Sequence, residues 1–145
     1  MSFNRRAARP LRNTLSVALL AASAALALPA SAADPYTQTV FFGDSLTDSG
    51  FFRPLLPASV RAVTGQFTTN PGFVWSQYLA DYYGTSAAPN GNGQVGTNYA
   101  AGGARVGVNS TGALGPIPSL ATQVNNYLAA NGGRADSHAL YTVWG

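Results

Sequence analysis

The chain has 145 residues, 46% hydrophobic and 9% charged, so we expect one domain with a packed core and no disorder driven by charge. The formal charge of +3 originates in the first twelve positions, which hold four of the eight arginines and no acid. From Asp34 onward four arginines face five aspartates, a net charge of −1 (4 − 5), so no surface for nucleic acid is expected. The absence of cysteine excludes disulfides, thiolate nucleophiles and cysteine-based metal sites.

Residues 1–33 have the pattern of a secretory signal peptide. Basic residues precede an apolar run from Leu15 to Leu28, and small residues follow it. The run has 14 residues, fewer than the roughly 20 that a membrane-spanning helix needs. We therefore expect export by the general secretory route, cleavage after Ala32 or Ala33, and a folded part that comprises residues 34–145.

The folded part begins with a predicted strand and a predicted helix. Gln38–Gly43 is apolar and ends in glycine, which predicts a strand covered on both faces, as in a parallel sheet. Prolines between residues 50 and 70 exclude a long helix there. Asn70 as N-cap and Pro71 as first residue predict a helix that stops at Gly84. Its predicted apolar face consists of Val74, Trp75, Tyr78, Leu79 and Tyr82.

The second half continues the alternation. Residues 85–97 are rich in glycine and small polar residues and predict a loop, followed by a short strand that ends at Ala100. Pro118–Ala130 predicts a second helix and Ala139–Trp144 a third strand. The order strand, helix, strand, helix, strand predicts an α/β fold: a three-layer α/β/α sandwich of the flavodoxin-like kind. The predicted apolar face of the second helix consists of Leu120, Val124, Tyr127 and Leu128.

Ser45 is the candidate nucleophile. It lies two residues beyond the first strand, in the segment Phe42-Gly43-Asp44-Ser45-Leu46-Thr47-Asp48-Ser49-Gly50. Ligands of open parallel sheets bind outside the carboxyl ends of the strands, and a serine there presents its hydroxyl to that crevice. An ordinary turn accounts for the same residue types. The segment also differs from a G-x-S-x-G elbow, because Thr47 stands where the second glycine is needed.

Three segments resemble the sequence blocks of the GDSL, or SGNH, esterases and lipases. Gly43-Asp44-Ser45-Leu46 resembles the first block, and Asn98-Tyr-Ala-Ala-Gly-Gly-Ala-Arg105 the second. Tyr141-Thr-Val-Trp-Gly145 is similar to the strand that leads into the third. The resemblance covers residues 38–145. Within the family, the first block and the signal peptide look most like bacterial esterases that a C-terminal autotransporter barrel carries to the cell surface.

The resemblance implies hydrolysis of acyl or lipid-like carboxylic esters without a cofactor or metal. Ser45 would form an acyl-enzyme, and its N–H, with that of Gly103 or less favourably Gly102, would stabilise the oxyanion. The family's asparagine and its Asp-x-x-His pair would follow Gly145. We therefore expect the N-terminal part of a longer esterase, inactive alone, whose parent is secreted, periplasmic or tethered at the outer membrane through a C-terminal barrel. We also expect residues 34–145 alone to aggregate or to remain partly unfolded, because an open sheet edge and an uncovered apolar face would be left.

Several residues allow other interpretations. His138 follows Asp136 closely but precedes the third strand, so we expect a solvated turn. Gly91–Gly96 is a literal G-x-G-x-x-G, yet it follows a loop and no dinucleotide site is expected. Asp44 and Asp48 are expected to stabilise turns.

Two further function classes stay open at this stage. An exported module without catalytic activity would carry the same sequence blocks, and so would a sugar-ester deacetylase on the same scaffold. Trp75 and the tyrosines at positions 78, 82 and 83 are expected to form the core and rim of a helix, in preference to a carbohydrate platform.

Overall fold

The computed structural model describes residues 35–61, 63, 64, 66, 67 and 69–145, so the predicted signal peptide lies outside the described residues. Every helix within these residues is too short or too polar to cross a lipid bilayer. In chain order the elements are β1 (Gln38–Gly43), a 3-10 turn (Arg53–Leu55), α1 (Ala58–Arg61), α2 (Trp75–Tyr82), β2 (Ser110–Gly112), β3 (Gly115–Ile117), α3 (Leu120–Ala130) and β4 (Ala139–Trp144).

The strand β1 has a parallel neighbour on each side. β4 pairs with it along its whole length, from Gln38 opposite Ala139 to Gly43 opposite Trp144. On the other side, residues 97–101 run parallel to β1, and the amide of Ala101 donates to the carbonyl of Gly43 at 3.1 Å. The spatial order is therefore 97–101, β1, β4. The predicted bounds of β1 and β4 are confirmed.

Helices cover both faces of β1. Val40 and Phe42 pack against Tyr127 of α3 on one face, while Phe41 packs against Ala80 of α2 on the other. Val40 and Phe41 are fully buried and Phe42 is 3% exposed; burying a side chain of this kind stabilises a fold by about 1.5–3 kcal/mol. Helix, sheet and helix thus form three layers, and the predicted α/β fold class is confirmed.

The predicted start of α2 is wrong. The helix begins at Trp75 with Val74 as its N-cap, whereas Asn70 and Pro71 belong to a preceding turn. The side chain of Gln77 supplies the capping interaction, because its Oε1 accepts a hydrogen bond from the amide of Val74 at 3.1 Å. The predicted stop at Gly84 is confirmed.

The predicted apolar face of α2 is only partly correct. Tyr78 is 62% exposed and Tyr82 79% exposed, so neither faces the sheet. The buried face instead holds Ser76 and Ala80, which lie one turn apart. Trp75 borders the core and contacts the ring of Phe41 edge-on at 5.8 Å between centroids.

The predicted apolar face of α3 is confirmed. Leu120 and Tyr127 are buried, and Val124 and Leu128 pack against the core cluster that contains Tyr127. The helix starts at Leu120, two residues later than predicted, because the hydroxyl of Ser119 accepts a hydrogen bond from the amide of Thr122 and caps it. The antiparallel hairpin β2–β3 was not predicted.

Candidate active site

A tight turn at residues 44–48 follows β1. The amides of Thr47 and Asp48 both donate to the carbonyl of Asp44 at 3.1 Å, and the carboxylate of Asp44 accepts from the amide of Leu46 at 2.9 Å. The prediction that Asp44 stabilises the turn is confirmed. Ser45 lies at its start and is partly exposed, and neither its hydroxyl nor its amide makes a hydrogen bond with another described residue.

Gly43 allows the turn to fold back onto the strand. A Cβ at this position would lie 2.7 Å from Oγ1 of Thr47 and 3.0 Å from the carbonyl oxygen of Trp144. A larger residue would therefore push the turn away from β1. The close approach fixes where the chain leaves the sheet, two residues before Ser45.

The side chain of Gln123, on α3, binds both backbone groups of Gly43. Its Oε1 accepts from the Gly43 amide at 2.9 Å and its Nε2 donates to the Gly43 carbonyl at 3.0 Å. Gln123 is 1% exposed. No role was predicted for Gln123, although a glutamine between Leu120 and Tyr127 on an apolar helix face is itself a signal of a buried polar contact.

The side chain of Asn98 binds the turn from the interior of the protein. It is fully buried, and its Nδ2 donates to the carbonyl of Thr47 at 2.8 Å and to Oγ of Ser76 at 3.1 Å. The hydroxyl of Ser76 donates to the same Thr47 carbonyl at 2.9 Å. The indole N–H of Trp75 donates to Oγ1 of Thr47 at 3.2 Å. These hydrogen bonds hold the backbone of the turn in place, because a buried polar group without a partner lowers stability by about 1–3 kcal/mol.

Asp48 connects the turn to the loop after residues 97–101. Its Oδ1 accepts from the amides of Gly50 at 2.8 Å and Phe51 at 2.7 Å, which confirms its predicted role in a turn. Its Oδ2 accepts from the amide of Gly102 at 2.8 Å. The carboxylate is 1% exposed. Burial raises the pKa of Asp48 above the ordinary 3.8, although the three amide hydrogen bonds act in the opposite direction.

The two neighbouring glycines of this loop differ in their amides. The amide of Gly102 is buried and points to Asp48. Gly103 is exposed, has a φ of +83°, and its amide makes no hydrogen bond with a described residue. The loops that carry Ser45 and Gly103 are thus joined through Asp48. Whether Gly103 or Gly102 serves an oxyanion stays a prediction.

His138 lies at the opposite end of the sheet from Ser45. It directly precedes β4, whose parallel pairing sets its start beside the start of β1, and the amide of Thr37 donates to the His138 carbonyl at 3.0 Å. Ser45 follows the far end of β1, and a strand of this length spans about 17 Å at roughly 3.3 Å per residue. His138 is therefore too distant to act as base for Ser45. Its side chain is 76% exposed, 3.7 Å from Asp136, which confirms the predicted solvated turn.

Gly91–Gly96 forms a tight turn beside the 3-10 segment. The backbones of Gly91 and Gln94 exchange two hydrogen bonds, of 3.1 and 3.0 Å. The motif does not lead from a strand into a helix, which is the context that dinucleotide binding requires. In the part of the chain that the structure describes, no group of three histidine, cysteine, aspartate or glutamate side chains is arranged to hold a metal ion.

Residues 39–145 match the family of GDSL-like lipases and acylhydrolases. The matched region runs from the second residue of β1 and contains both the turn at Ser45 and the loop at Gly103. No curated protein matches the sequence.

Proposed function

Because the chain belongs to the family of GDSL-like lipases and acylhydrolases, we propose that it provides the nucleophile Ser45 of a serine esterase that acts on acyl or lipid-like esters. The observation that carries this proposal is the hydroxyl of Ser45, which bonds to no other residue in the described part of the chain and lies on a turn held by buried polar side chains. Such preorganisation is what a nucleophile needs, since small misplacements are costly in rate.

The reaction proceeds in two steps. The hydroxyl oxygen of Ser45 attacks the ester carbonyl, its proton passes to a base, and the alcohol leaves with a proton as the acyl-enzyme forms. Water then releases the acid and restores the serine. The negative charge of each tetrahedral intermediate requires donors that are already in place. We assign these donors to the amides of Ser45 and Gly103, which have no partner among the residues that the structure describes, because the amide of Gly102 already donates to Asp48.

The base comes from outside the described site. His138 is the one histidine in the sequence, and it lies about 17 Å or more from Ser45 by strand length. We propose that an Asp-x-x-His pair and an oxyanion asparagine, which the resemblance to the family implies, complete the site; the described residues do not supply the pair. Residues 34–145 alone then have little activity, since loss of such groups lowers kcat by about 10⁴- to 10⁶-fold.

We also propose that residues 1–33 direct export of the protein. The esterase then acts outside the cytoplasm, either free or tethered at the outer membrane through a C-terminal segment. The support for export is the basic start, the apolar run and the small residues that follow it.

Activity measurements on three proteins test the proposal. The full-length gene product, its Ser45→Ala variant and its Ser137→Ala variant are assayed with p-nitrophenyl acetate and butyrate. Ser137 is exposed and belongs to the turn at the other end of the sheet, so it is a matched control. We expect activity in the parent and in Ser137→Ala, and a loss of at least about 10⁴-fold in Ser45→Ala. An unchanged rate in Ser45→Ala would refute the assignment, and an inactive parent would favour a non-catalytic module.

A further inference from the structure

An apolar cavity of about 210 Å³ opens next to the loop that carries Gly103. Among the described residues, one wall is the β2–β3 hairpin with Leu114 and Ile117, and another consists of Phe52 and Phe67. Gly102 completes the lining on the side of the loop. None of these side chains carries a polar group, so the cavity is suited to a hydrocarbon ligand.

Ile117 connects the cavity to the proposed oxyanion loop. Its Cδ1 atom lies 3.3 Å from the position of a Cβ at Gly103 and 3.1 Å from that of a Cβ at Gly112. A Cβ at Gly102 would overlap the ring of Phe67, so the missing side chain at Gly102 is what lets the ring approach the loop. The cavity is therefore lined by Gly102, directly before the residue whose amide we assign to the oxyanion, and Ile117 lies between the cavity and Gly103.

The position of Phe67 is coupled to the nucleophile turn as well. Its amide donates to the carbonyl of Asp48 at 3.2 Å, so the aromatic wall and the oxyanion loop are both attached to Asp48. Phe67 is 52% exposed and Leu114 is 41% exposed. A chain bound between them would remove this apolar surface from water, which favours binding.

An adjoining cavity of about 210 Å³ shares Phe52, Phe67 and Leu114 but suits a hydrocarbon poorly. Asp48 and Gln66 also line it. Oε1 of Gln66 is buried and has no hydrogen-bond partner among the described residues, so an alkyl group there would leave a polar atom unsatisfied. The apolar cavity is consequently the better site for a hydrocarbon.

We propose that the apolar cavity binds the acyl chain of the ester substrate and that Ile117 determines the chain length accepted. The proposal rests on the function proposed above and specifies its substrate class. At about 30 Å³ for each water-sized group, the cavity has room for about seven methylene-sized groups. Substrates with acyl chains of up to about eight carbons therefore fit.

A chain-length series on the full-length gene product tests the proposal. We measure kcat/KM for p-nitrophenyl esters from acetate to dodecanoate. We expect kcat/KM to rise by up to about fourfold for each added methylene and to level off near octanoate. Ile117→Trp fills the cavity and lowers the octanoate-to-acetate ratio at least about tenfold, whereas Ile117→Ala moves the plateau to longer chains. The control Val95→Trp, at a position 97% exposed, leaves the ratio unchanged.

The outcomes separate this inference from the proposed function. If the parent shows no hydrolysis that depends on Ser45, the proposed function is overturned. Ser45-dependent hydrolysis with the same chain-length profile in the parent and both Ile117 variants would overturn the acyl site and leave the proposed function standing. If Ile117→Trp does not fold, Leu114→Trp makes the same test from a more exposed position of the hairpin.

Discussion

Asp48 and Gly102, 54 positions apart in the sequence, are joined by a hydrogen bond of 2.8 Å from the Gly102 amide to Oδ2 of the buried carboxylate. The bond directs the Gly102 amide into the protein, and the next residue, Gly103, turns outward with a φ of +83°. The nucleophile turn and the proposed oxyanion loop are thereby held at a fixed separation. Asp48 is accordingly a positioning residue in the proposed mechanism.

Replacing Asp48 by asparagine tests this role. The amide oxygen can still accept from Gly50 and Phe51, but an NH₂ group would oppose the Gly102 amide. We expect kcat to fall by about 10- to 100-fold, because the oxyanion donor is displaced, while KM changes little. Steady-state kinetics of the full-length gene product measure both. Asp81→Asn, at an exposed position of α2, is the control. If KM rises while kcat stays unchanged, Asp48 does not have a positioning role.

The raised pKa of Asp48 predicts a pH dependence of stability. Burial makes the folded state bind the proton more tightly than the unfolded state, whose aspartate titrates near 3.8. At pH values between 3.8 and the raised pKa of the folded state, protonation of Asp48 therefore increases the free energy of unfolding as the pH falls. Above this range Asp48 is ionised in both states, and its buried charge lowers the stability. We expect the free energy of unfolding of the parent, minus that of Asp48→Asn, to increase on acidification through this window. Urea titrations at several pH values measure it, and the opposite slope would mean that the three amide hydrogen bonds outweigh burial.

Gly43 is expected to tolerate no side chain. In Gly43→Ala the new Cβ meets Thr47 and the carbonyl of Trp144, so we expect a loss of about 1–3 kcal/mol in stability together with reduced activity. Gly107→Ala is the matched control, since a Cβ there would have no atom of a described residue within 4 Å. Thermal melts compare the two variants. Equal melting temperatures would show that the turn adjusts without strain.

Gln123 is expected to matter through Gly43. Gln123→Met keeps the length of the side chain but leaves the amide and carbonyl of Gly43 without this partner. We expect a loss of about 1–3 kcal/mol in the free energy of unfolding. Asn125→Ala, on the exposed side of α3, should change stability by less than about 0.5 kcal/mol. If both variants unfold at the same denaturant concentration, the Gln123 contact is not what holds the strand end.

The elements that were predicted correctly are those whose apolar residues follow a regular pattern. Gln38–Gly43 and Ala139–Trp144 are continuous apolar runs in a parallel sheet, and their predicted bounds coincide with β1 and β4. The apolar face of α3 was predicted correctly as well, because its apolar residues recur at helical spacing. The start of α2 did not follow, because the capping group is a glutamine side chain within the helix and the local signals at Asn70 and Pro71 were misleading.

The candidate site was predicted in part. The position of Ser45 after β1 follows from the strand prediction. The contacts that hold it could not be predicted, because Asn98, Gln123 and Gly102 reach the turn only through the tertiary fold. The hairpin β2–β3 was missed because its strands have three residues each, include a proline and lack an alternating apolar pattern.

Labelling with a fluorophosphonate probe tests the central claim most directly. The full-length gene product is treated with the probe, digested and analysed by mass spectrometry, beside its Ser45→Ala variant. We expect one modified peptide, with the adduct on Ser45, loss of esterase activity in proportion to labelling, and no adduct in the variant. A parent that hydrolyses esters while Ser45 stays unmodified, or that carries the adduct on another serine, would contradict the account.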